Sequence, residues 1–286
     1  MKWLILGANG QLGRELLKRL GSRGIGTDRR TADVKDPLAL EACLEWFQPD
    51  GVINCSAYNL VDRAEDFIDD AFAVNSIGTR NIALLCKKRS IKLLHYSTDH
   101  VFCGTSTEQR PFTENDPPQP ANVYGLSKLV GEYWVRMLVE YGWVVRTCGL
   151  YGCRGAGGKG TNFVETMLRL ANEGKTPCVV NDQFCTPTPA TELAEASLLL
   201  LEEKPPGLYH LTSTGHCSWF EFAQTIYDEE GIGVTISPIS THVLGSRAKR
   251  PAWSVLGSDE VVAQELGLRP WREGLAAYLK GRVRTI

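Results

Sequence analysis

The sequence contains nine cysteines but no C-x-x-C pair. No cysteine lies beside histidines at the spacing of a zinc site, so the sequence predicts no metal centre. Scattered cysteines of this kind are typical of small core residues and free thiols in a reducing cytosol. The apolar run at residues 1–6 is far too short for a signal peptide or a membrane span. We therefore expect a cytoplasmic protein without a membrane partner.

An excess of charge of one sign is also missing. The 286 residues include 31 Lys and Arg and 33 Asp and Glu, for a formal net charge of −2. This balance gives no electrostatic reason to expect binding to nucleic acid or to an acidic membrane. We find no internal repeat and no low-complexity tract. A hydrophobic content of 43% is that of an ordinary globular protein.

The N-terminus has a short apolar run followed by G-A-N-G-Q-L-G and a helical pattern. In this G-x-x-G-x-x-G loop, Gly7 would make the tight turn and Gly10 would let the backbone approach a pyrophosphate. Gly13 would let the helix pack closely on the strand. The helix N-terminus would present free N–H groups to the phosphates. Its place after the first strand favours nucleotide binding over a purely structural turn.

The end of the second strand gives conflicting indications of which cofactor binds. Asp28 is placed where a carboxylate hydrogen-bonds an adenosine ribose, which favours NAD. Arg29 and Arg30 follow directly and could hold a 2′-phosphate, which favours NADP. Both cofactors stay open. Asp36 is a predicted N-cap for a helix that begins at Pro37.

Strands and helices alternate through the first half of the chain. Strands are predicted at residues 50–54, 91–96 and 143–147, with helices at 66–88 and 121–141 between them. This alternation predicts an α/β fold with a doubly wound parallel sheet of the Rossmann type.

The alternation of predicted strands and helices becomes less regular after Gly149, and we place a domain boundary there. We expect residues 1–149 to form an NAD(P)-binding domain and residues 150–286 mainly a smaller C-terminal substrate lobe, with 186–213 returning to the first domain. Loops are predicted at 104–122, 151–160 and 183–189. Ligands favour crevices between lobes.

Small and polar residues follow two of the predicted strands. Cys55 and Ala57 follow the third strand, where small side chains let a ligand lie against the backbone. Ser97 and Thr98 end the fourth strand. The carboxyl ends of parallel strands are the usual ligand side of such a sheet. In isolation, the two hydroxyls are equally consistent with a hydrogen-bonded strand end.

Tyr124 and Lys128 lie four residues apart on a predicted helix, and therefore on one face of it. An ammonium beside a phenol lowers the pKa of the phenol from about 10 toward neutral pH. Such a phenol acts as a general acid or base on a carbonyl or an alcohol. Alone, the pair is equally consistent with chance on a solvated helix face.

Motifs along nearly the whole chain resemble the extended short-chain dehydrogenase/reductase superfamily, and within it the dTDP-4-dehydrorhamnose reductase family. The matching segments are G-A-N-G-Q-L-G, S-A-Y-N-L-V-D-R-A-E, H-Y-S-T-D-H-V-F-C-G, N-V-Y-G-L-S-K, N-F-V-E-T-M-L-R-L, D-Q-F-C-T-P-T and R-P-A-W-S-V-L. The resemblance implies NAD(P)H-dependent reduction of a nucleotide-linked 4-keto-6-deoxy sugar, dTDP-4-dehydrorhamnose to dTDP-L-rhamnose in that family.

The resemblance implies catalytic roles for three residues. Thr98 would hydrogen-bond the substrate carbonyl, Tyr124 would protonate its oxygen, and Lys128 would lower the pKa of the tyrosine and hold the nicotinamide ribose. The candidate cofactor-binding residues are Gly7, Asn9, Gly10, Gln11, Leu12, Asp28, Arg29, Asp33, Val34, Cys55, Ala57, Tyr58, Tyr124 and Lys128. The candidate substrate-binding residues are Val61, Thr98, His100, Asn162 and Arg250, although Arg250 is also consistent with a surface cation beside Lys249.

Two departures from the family pattern bear on the sugar. His100 stands where the family has tyrosine, and Cys148-Gly149 stand where it has Ser-Trp. Loss of a large aromatic side chain predicts a roomier or differently filled sugar site. The sugar, its nucleotide, the product stereochemistry and the choice between NADH and NADPH stay open.

Alternative functions share this fold. The chain could reduce or epimerise another sugar nucleotide. A dehydratase ranks lower because Asp99 is followed by His100 rather than by a further carboxylate. The methionine adenosyltransferase β-subunit is similar and acts as a non-catalytic, cofactor-binding partner. The oligomeric state is open, with a homodimer as the candidate.

Overall fold

The computed structural model of the chain describes residues 1–103, 110–152, 160–257 and 260–282. Parts of the predicted loops at 104–122 and 151–160 lie outside the described residues, as does Cys153. The eight other cysteines are free thiols. In the part of the chain described, no helix is long and apolar enough to cross a bilayer.

The described strands and helices alternate over most of the chain. The strands are β1 (Trp3–Leu6), β2 (Gly24–Thr27), β3 (Gly51–Asn54), β4 (Lys92–Thr98), β5 (Gly142–Thr147), β6 (Cys178–Val180), β7 (Phe184–Cys185), β8 (Gly207–His210), β9 (Cys217–Ser218) and β10 (Ser237–Ile239). The α-helices are α1 (Gln11–Leu20), α2 (Pro37–Phe47), α3 (Val61–Ala64), α4 (Ile68–Phe72), α5 (Thr79–Arg89), α6 (Val123–Leu138), α7 (Phe163–Asn172), α8 (Ala190–Glu203), α9 (Trp219–Glu229), α10 (Thr241–Leu244), α11 (Glu260–Glu265) and α12 (Trp271–Gly281).

The central sheet has six parallel strands in the order β2-β1-β3-β4-β5-β8. Strands β1, β3 and β5 are buried along their whole length, as expected when helices cover both faces of a parallel sheet. The predicted doubly wound, Rossmann-type α/β fold is confirmed. The strand order reverses between β1 and β3, which is where ligands bind in sheets of this kind.

Side-chain caps fix where three helices begin. The Asp36 carboxylate accepts hydrogen bonds from two backbone N–H groups of α2 at 2.9 and 3.2 Å, which confirms the predicted N-cap. The Asn122 side chain accepts from Gly125 N at 2.7 Å and so sets the start of α6. Asn162 caps α7 in the same way. Such caps satisfy N–H groups that have no partner within the helix.

The helix predicted at residues 66–88 is interrupted by a π-helical stretch, Ala73–Gly78, between α4 and α5. Within it, Asn75 accepts from Tyr58 N at 2.8 Å and donates to Tyr58 O at 3.0 Å and to Ser127 Oγ at 2.9 Å. These bonds join the helix to α6 and to the loop after β3. The irregularity depends on tertiary contacts, so the local pattern did not reveal it.

The second half of the chain contributes to two cores. Strand β8 pairs with β5, and α8 packs with α1 in one hydrophobic core through side chains such as Leu16 and Leu193. A separate core, with Tyr151, Phe222 and Trp271, joins α7, α9 and α12. We call the region around this second core the C-terminal lobe. The division at residue 149, with a return at 186–213, stays a prediction.

The predicted loop at 183–189 is wrong in part, because β7 lies within it. Phe184 and Cys185 pair antiparallel with Ser218 and Cys217 of β9. The partner strand is more than thirty residues away in sequence, so local turn signals could not indicate it.

Candidate functional site

A cleft of about 860 Å³ lies between the carboxyl edge of the sheet and the C-terminal lobe. Cys55 and Thr98 line it from the sheet side, and Gly10 lines it from the start of α1. Asn162 and Trp219 line it from the C-terminal lobe. The residues after β1, β3, β4 and β5 converge here because parallel strands end at one edge.

The glycine turn lies against the end of β3. Gly7 has φ +74°, and a Cβ on it would lie 2.9 Å from the carbonyl carbon of Cys55. A Cβ on Gly13 would lie 2.7 Å from Ala8 Cα. Both positions therefore require glycine, the first for a left-handed turn and the second for close packing. These two local expectations are confirmed.

The start of α1 offers polar groups to a ligand. Its N-cap, Gly10, has no side chain to satisfy the first N–H groups of the helix. Gln11 Oε1 and Thr147 Oγ1 are buried in cleft-lining residues and have no hydrogen-bond partner within the described parts of the chain. Exposed N–H groups at a helix N-terminus favour phosphate. The residues present fit a dinucleotide cofactor along this wall.

Thr98 and Tyr124 meet in the cleft. Thr98 Oγ1 donates to Asp99 Oδ1 at 3.0 Å and accepts from His100 N at 3.2 Å, and it shares a hydrogen bond with the Tyr124 phenol. Burial raises the pKa of Tyr124 to about 12, and the Asp99 carboxylate raises it as well. The expected lowering of this pKa is therefore not found, and the phenol is protonated at neutral pH.

The Lys128 side chain contacts β4. Its Nζ donates to the Tyr96 carbonyl at 2.5 Å and lies 3.5 Å from His95 Nε2. Burial lowers the pKa of Lys128 to about 8. The i, i+4 spacing predicted that Lys128 and Tyr124 share one helix face. It did not predict the contacts of Lys128 Nζ, because these are made with residues of β4.

The residues at both departures from the family pattern line the cleft. His100 lies edge-on to Tyr124, with ring centroids 5.5 Å apart. Cys148 donates from Sγ to Asp99 Oδ2 at 3.0 Å, and burial raises the pKa of its thiol well above the ordinary value. Gly149 has φ +55°, and a Cβ there would lie 2.9 Å from Pro187 Cα. The backbone at Pro187 thus lies directly against Gly149. The expectation of a roomier or differently filled sugar site stays a prediction.

Two predicted substrate residues come from distant parts of the chain. Asn162 donates to Gly152 O at 2.6 Å. Arg250 forms two hydrogen bonds to the Asp62 carboxylate, at 2.9 and 2.6 Å, and lines the cleft. Arg250 is therefore a partly exposed, paired residue in the lining of the cleft. Its role as a substrate contact rather than a surface cation beside Lys249 stays a prediction.

The cleft brings together most of the predicted site residues. Those that line it are Gly10, Gln11, Leu12, Cys55, Ala57, Val61, Thr98, His100, Tyr124, Lys128, Asn162 and Arg250. Those outside its lining are Gly7, Asn9, Asp28, Arg29, Asp33, Val34 and Tyr58. Their binding roles stay predictions.

The residues expected at the adenosine end bond to one another. The Asp28 carboxylate accepts from Asn9 Nδ2 and from Arg30 N, both at 2.9 Å. Arg29 is largely exposed and pairs with Asp33 at 3.4 Å. A carboxylate suited to a ribose and a guanidinium suited to a phosphate thus lie side by side.

Sequence reasoning missed two carboxylates at the site. Asp99 accepts from both Thr98 and Cys148, and Asp62 holds Arg250. Each directly follows a residue that the motifs had singled out, namely Thr98 and Val61. Cys148 and Arg250 lie 49 and 188 residues away from their carboxylate partners, so only the motif position could have signalled these two contacts. Among the described residues, no three His, Cys, Asp or Glu side chains group to hold a metal ion.

Gly125 allows α6 to approach the end of β4. A Cβ on it would lie 2.2 Å from the His100 carbonyl oxygen. We expect Gly125→Ala to destabilise the protein by about 1–3 kcal/mol through overpacking and to reduce any catalysis, because Tyr124 is the adjacent residue. Urea unfolding measures the first effect. Gly281→Ala is the control, since nothing lies within 4 Å of a Cβ there; equal effects of the two changes would contradict the packing argument.

Comparison with known proteins gives a consistent match over the whole chain. The family model described as "RmlD substrate binding domain" matches residues 1–283. The spore coat polysaccharide biosynthesis protein SpsK of Bacillus subtilis is 39% identical, over 98% of both chains. A dTDP-4-keto-6-deoxy-D-glucose reductase of Streptomyces niveus is 35% identical, over 96% of this chain and 94% of that one. A crystal structure of dTDP-4-dehydrorhamnose reductase from Bacillus anthracis, in complex with NADP, is 36% identical with a TM-score of 0.91, over 98% and 99% of the two chains.

Proposed function

The chain belongs to the RmlD substrate-binding domain family, and from that membership we propose that it is an NAD(P)H-dependent reductase of a nucleotide-linked 4-keto-6-deoxy sugar. The single observation that carries the proposal is the hydrogen bond between the Tyr124 phenol and Thr98, in a cleft that the start of α1 also lines. A phenol held in this way can act as a proton donor.

The reaction divides between cofactor and protein. A bound nicotinamide cofactor supplies the hydride that reduces the ketone carbon. Tyr124 gives its proton to the ketone oxygen, and Thr98 positions that oxygen beside the phenol. Gly10, Gln11 and Leu12 would hold the pyrophosphate at the start of α1, where no side chain caps the helix. The lobe residues then exclude water from the reacting atoms.

For the substrate, we propose dTDP-4-dehydrorhamnose, with dTDP-L-rhamnose as product. The Bacillus anthracis protein carries the corresponding name and covers the chain end to end. The Streptomyces niveus protein is named for a different 4-keto sugar at similar identity. The His100 and Gly149 departures lie in the cleft where the sugar would bind, so they favour a test with both sugars.

The decisive experiment is oxidation of NADH and NADPH with each sugar, the unstable keto sugars being made in situ by the preceding enzymes. Conversion of dTDP-4-dehydrorhamnose, with dTDP-L-rhamnose identified as product, is the expected result. Turnover of another sugar nucleotide alone would replace the substrate. Cofactor binding without turnover on any keto sugar would overturn the reductase proposal and favour a regulatory subunit.

Arg250 and Asp62 provide a separate test of the mouth of the cleft. Their paired hydrogen bonds join the segment at Pro251 to α3. We expect Arg250→Ala to raise the KM for the sugar nucleotide about 10- to 100-fold, the usual effect of losing a charged hydrogen bond. The control is Arg247→Ala, which breaks an exposed pair with Asp66. Equal KM values for the two variants would contradict the role given to Arg250.

A homodimer stays a prediction. Helix α6 presents Tyr133 and Met137 to solvent, with 50% and 64% exposure. Sedimentation velocity measures the oligomeric state directly.

A further inference from the structure

His95 is a buried histidine that the proposed mechanism does not use. It lies on β4, is 0% exposed, and joins two residues at the base of the cleft. Its Nδ1 lies 3.0 Å from Asn54 Nδ2, and its Nε2 lies 3.5 Å from Lys128 Nζ. The histidine therefore connects a side chain at the end of β3 to the candidate catalytic lysine.

The orientation of the Asn54 amide is fixed by its other contacts. Asn54 Oδ1 accepts from the backbone N–H of Ser56 at 3.1 Å and from Ser56 Oγ at 2.5 Å. A backbone N–H only donates, so the amide oxygen must face Ser56. The amide nitrogen therefore faces His95 and donates to its Nδ1.

This orientation decides the tautomer of His95. Because Nδ1 accepts a hydrogen bond, it carries no proton, and the neutral ring carries its proton on Nε2. Burial lowers the pKa of His95 well below its usual value, so the ring stays neutral. The Nε2–H group consequently points toward Lys128 Nζ.

An ammonium has three donors and no acceptor, so it has no favourable contact with an N–H group. A neutral amine does have one, since it accepts from His95 Nε2–H while it donates to the Tyr96 carbonyl. Gly131 leaves room for this arrangement, because a Cβ there would lie 3.2 Å from Nε2. The contacts around Lys128 favour its uncharged form.

We propose that Asn54 and His95 hold Lys128 as a neutral amine at mildly alkaline pH. This inference does not rest on the proposed function. His95 is a positioning residue, because it acts through Lys128.

Two titratable groups near Lys128 favour its charged form, but their influence on its pKa is smaller than that of burial. Glu132 on α6 and Cys55 after β3 both raise the pKa of Lys128, yet burial brings it to about 8. An N–H dipole aimed at the amine lowers the pKa further.

The test uses the full, ligand-free chain and needs no turnover. Ring-¹⁵N labelling of histidine reports which nitrogen of His95 carries the proton, and ¹³Cε labelling of lysine reports the titration of Lys128, assigned with His95→Phe and Lys128→Arg. We expect a proton on Nε2 only, and a Lys128 midpoint at or below pH 8, about 2 units under that of an ordinary lysine. A proton on Nδ1, or an ordinary lysine midpoint, would overturn the proposal.

The His95→Phe variant provides a second measurement, in which the direction of the change in the Lys128 titration midpoint tests the proposal. It removes Nε2–H without changing the net charge, so we expect the Lys128 midpoint to rise by about 1 unit. A fall would mean that Nε2 accepts from an ammonium, the opposite tautomer. The buried His210→Phe change is the control and leaves the midpoint unchanged. A chain with no reductase activity but the expected tautomer would refute the proposed function and leave this inference intact.

Discussion

Tyr124→Phe is expected to lower kcat about 10²- to 10⁴-fold, the usual contribution of a positioned general acid, while cofactor affinity stays near that of the wild type. The variant removes one oxygen from a half-buried ring on α6 and leaves the cleft otherwise unchanged. Steady-state kinetics and cofactor titration measure the two quantities. The effect is large because Tyr124 is the protonated side chain that Thr98 contacts directly.

Tyr133→Phe is the matched control for this change. Tyr133 lies on the same helix and is 50% exposed, so loss of its hydroxyl leaves kcat unchanged. Near-wild-type turnover of Tyr124→Phe would refute the role of the phenol. Loss of cofactor binding in this variant would instead indicate that the phenol holds the cofactor.

Glu132→Leu is expected to destabilise the protein by about 3–5 kcal/mol, because it leaves a buried guanidinium without its counterion. Glu132 and Arg146 are 0% and 1% exposed, and two hydrogen bonds of 2.9 and 2.7 Å join them. Ser97 also donates to Glu132, at 2.5 Å. The pair thus holds α6 against β4 and β5 directly beneath Thr98.

Urea unfolding measures this loss, and a double variant separates its cause. Glu132→Leu with Arg146→Met removes both charges, so we expect it to recover much of the lost stability. Glu173→Leu, which breaks the exposed Arg169–Glu173 pair, is the control and changes stability little. A double variant no more stable than Glu132→Leu would show that packing, and not the unpaired charge, causes the loss.

Some parts of the site were predictable because short-range chemistry decides them. Gly7 and Gly13 have the geometry that the turn and the close packing require, and Asp36 caps α2 through its own backbone neighbours. The strand ends at Cys55 and Thr98 line one cleft, since the strands of a parallel sheet share a carboxyl edge. The contacts of the Asp36 cap are made with residues close in sequence. The strand ends lie together because all strands of a parallel sheet point the same way.

Other parts were not predictable because their partners are distant in sequence. The Lys128 side chain contacts His95 and the Tyr96 carbonyl, so the expected lowering of the Tyr124 pKa is not found. Arg250 meets Asp62 across 188 residues of chain. A pKa depends on burial and on neighbouring charges, and neither can be read from helical spacing alone.

The sequence by itself determined the parallel α/β sheet, the glycine turn at the start of α1, and the placement of Thr98, Tyr124 and Lys128 at one edge. Strand alternation, glycine spacing and the i, i+4 relation are local properties that the chain carries wherever it folds. Only the tertiary structure decided the protonation of Tyr124, the partners of Lys128 and the shape of the cleft beside Gly149. These depend on how much water is excluded and on which distant groups come within hydrogen-bonding distance, and packing alone sets both.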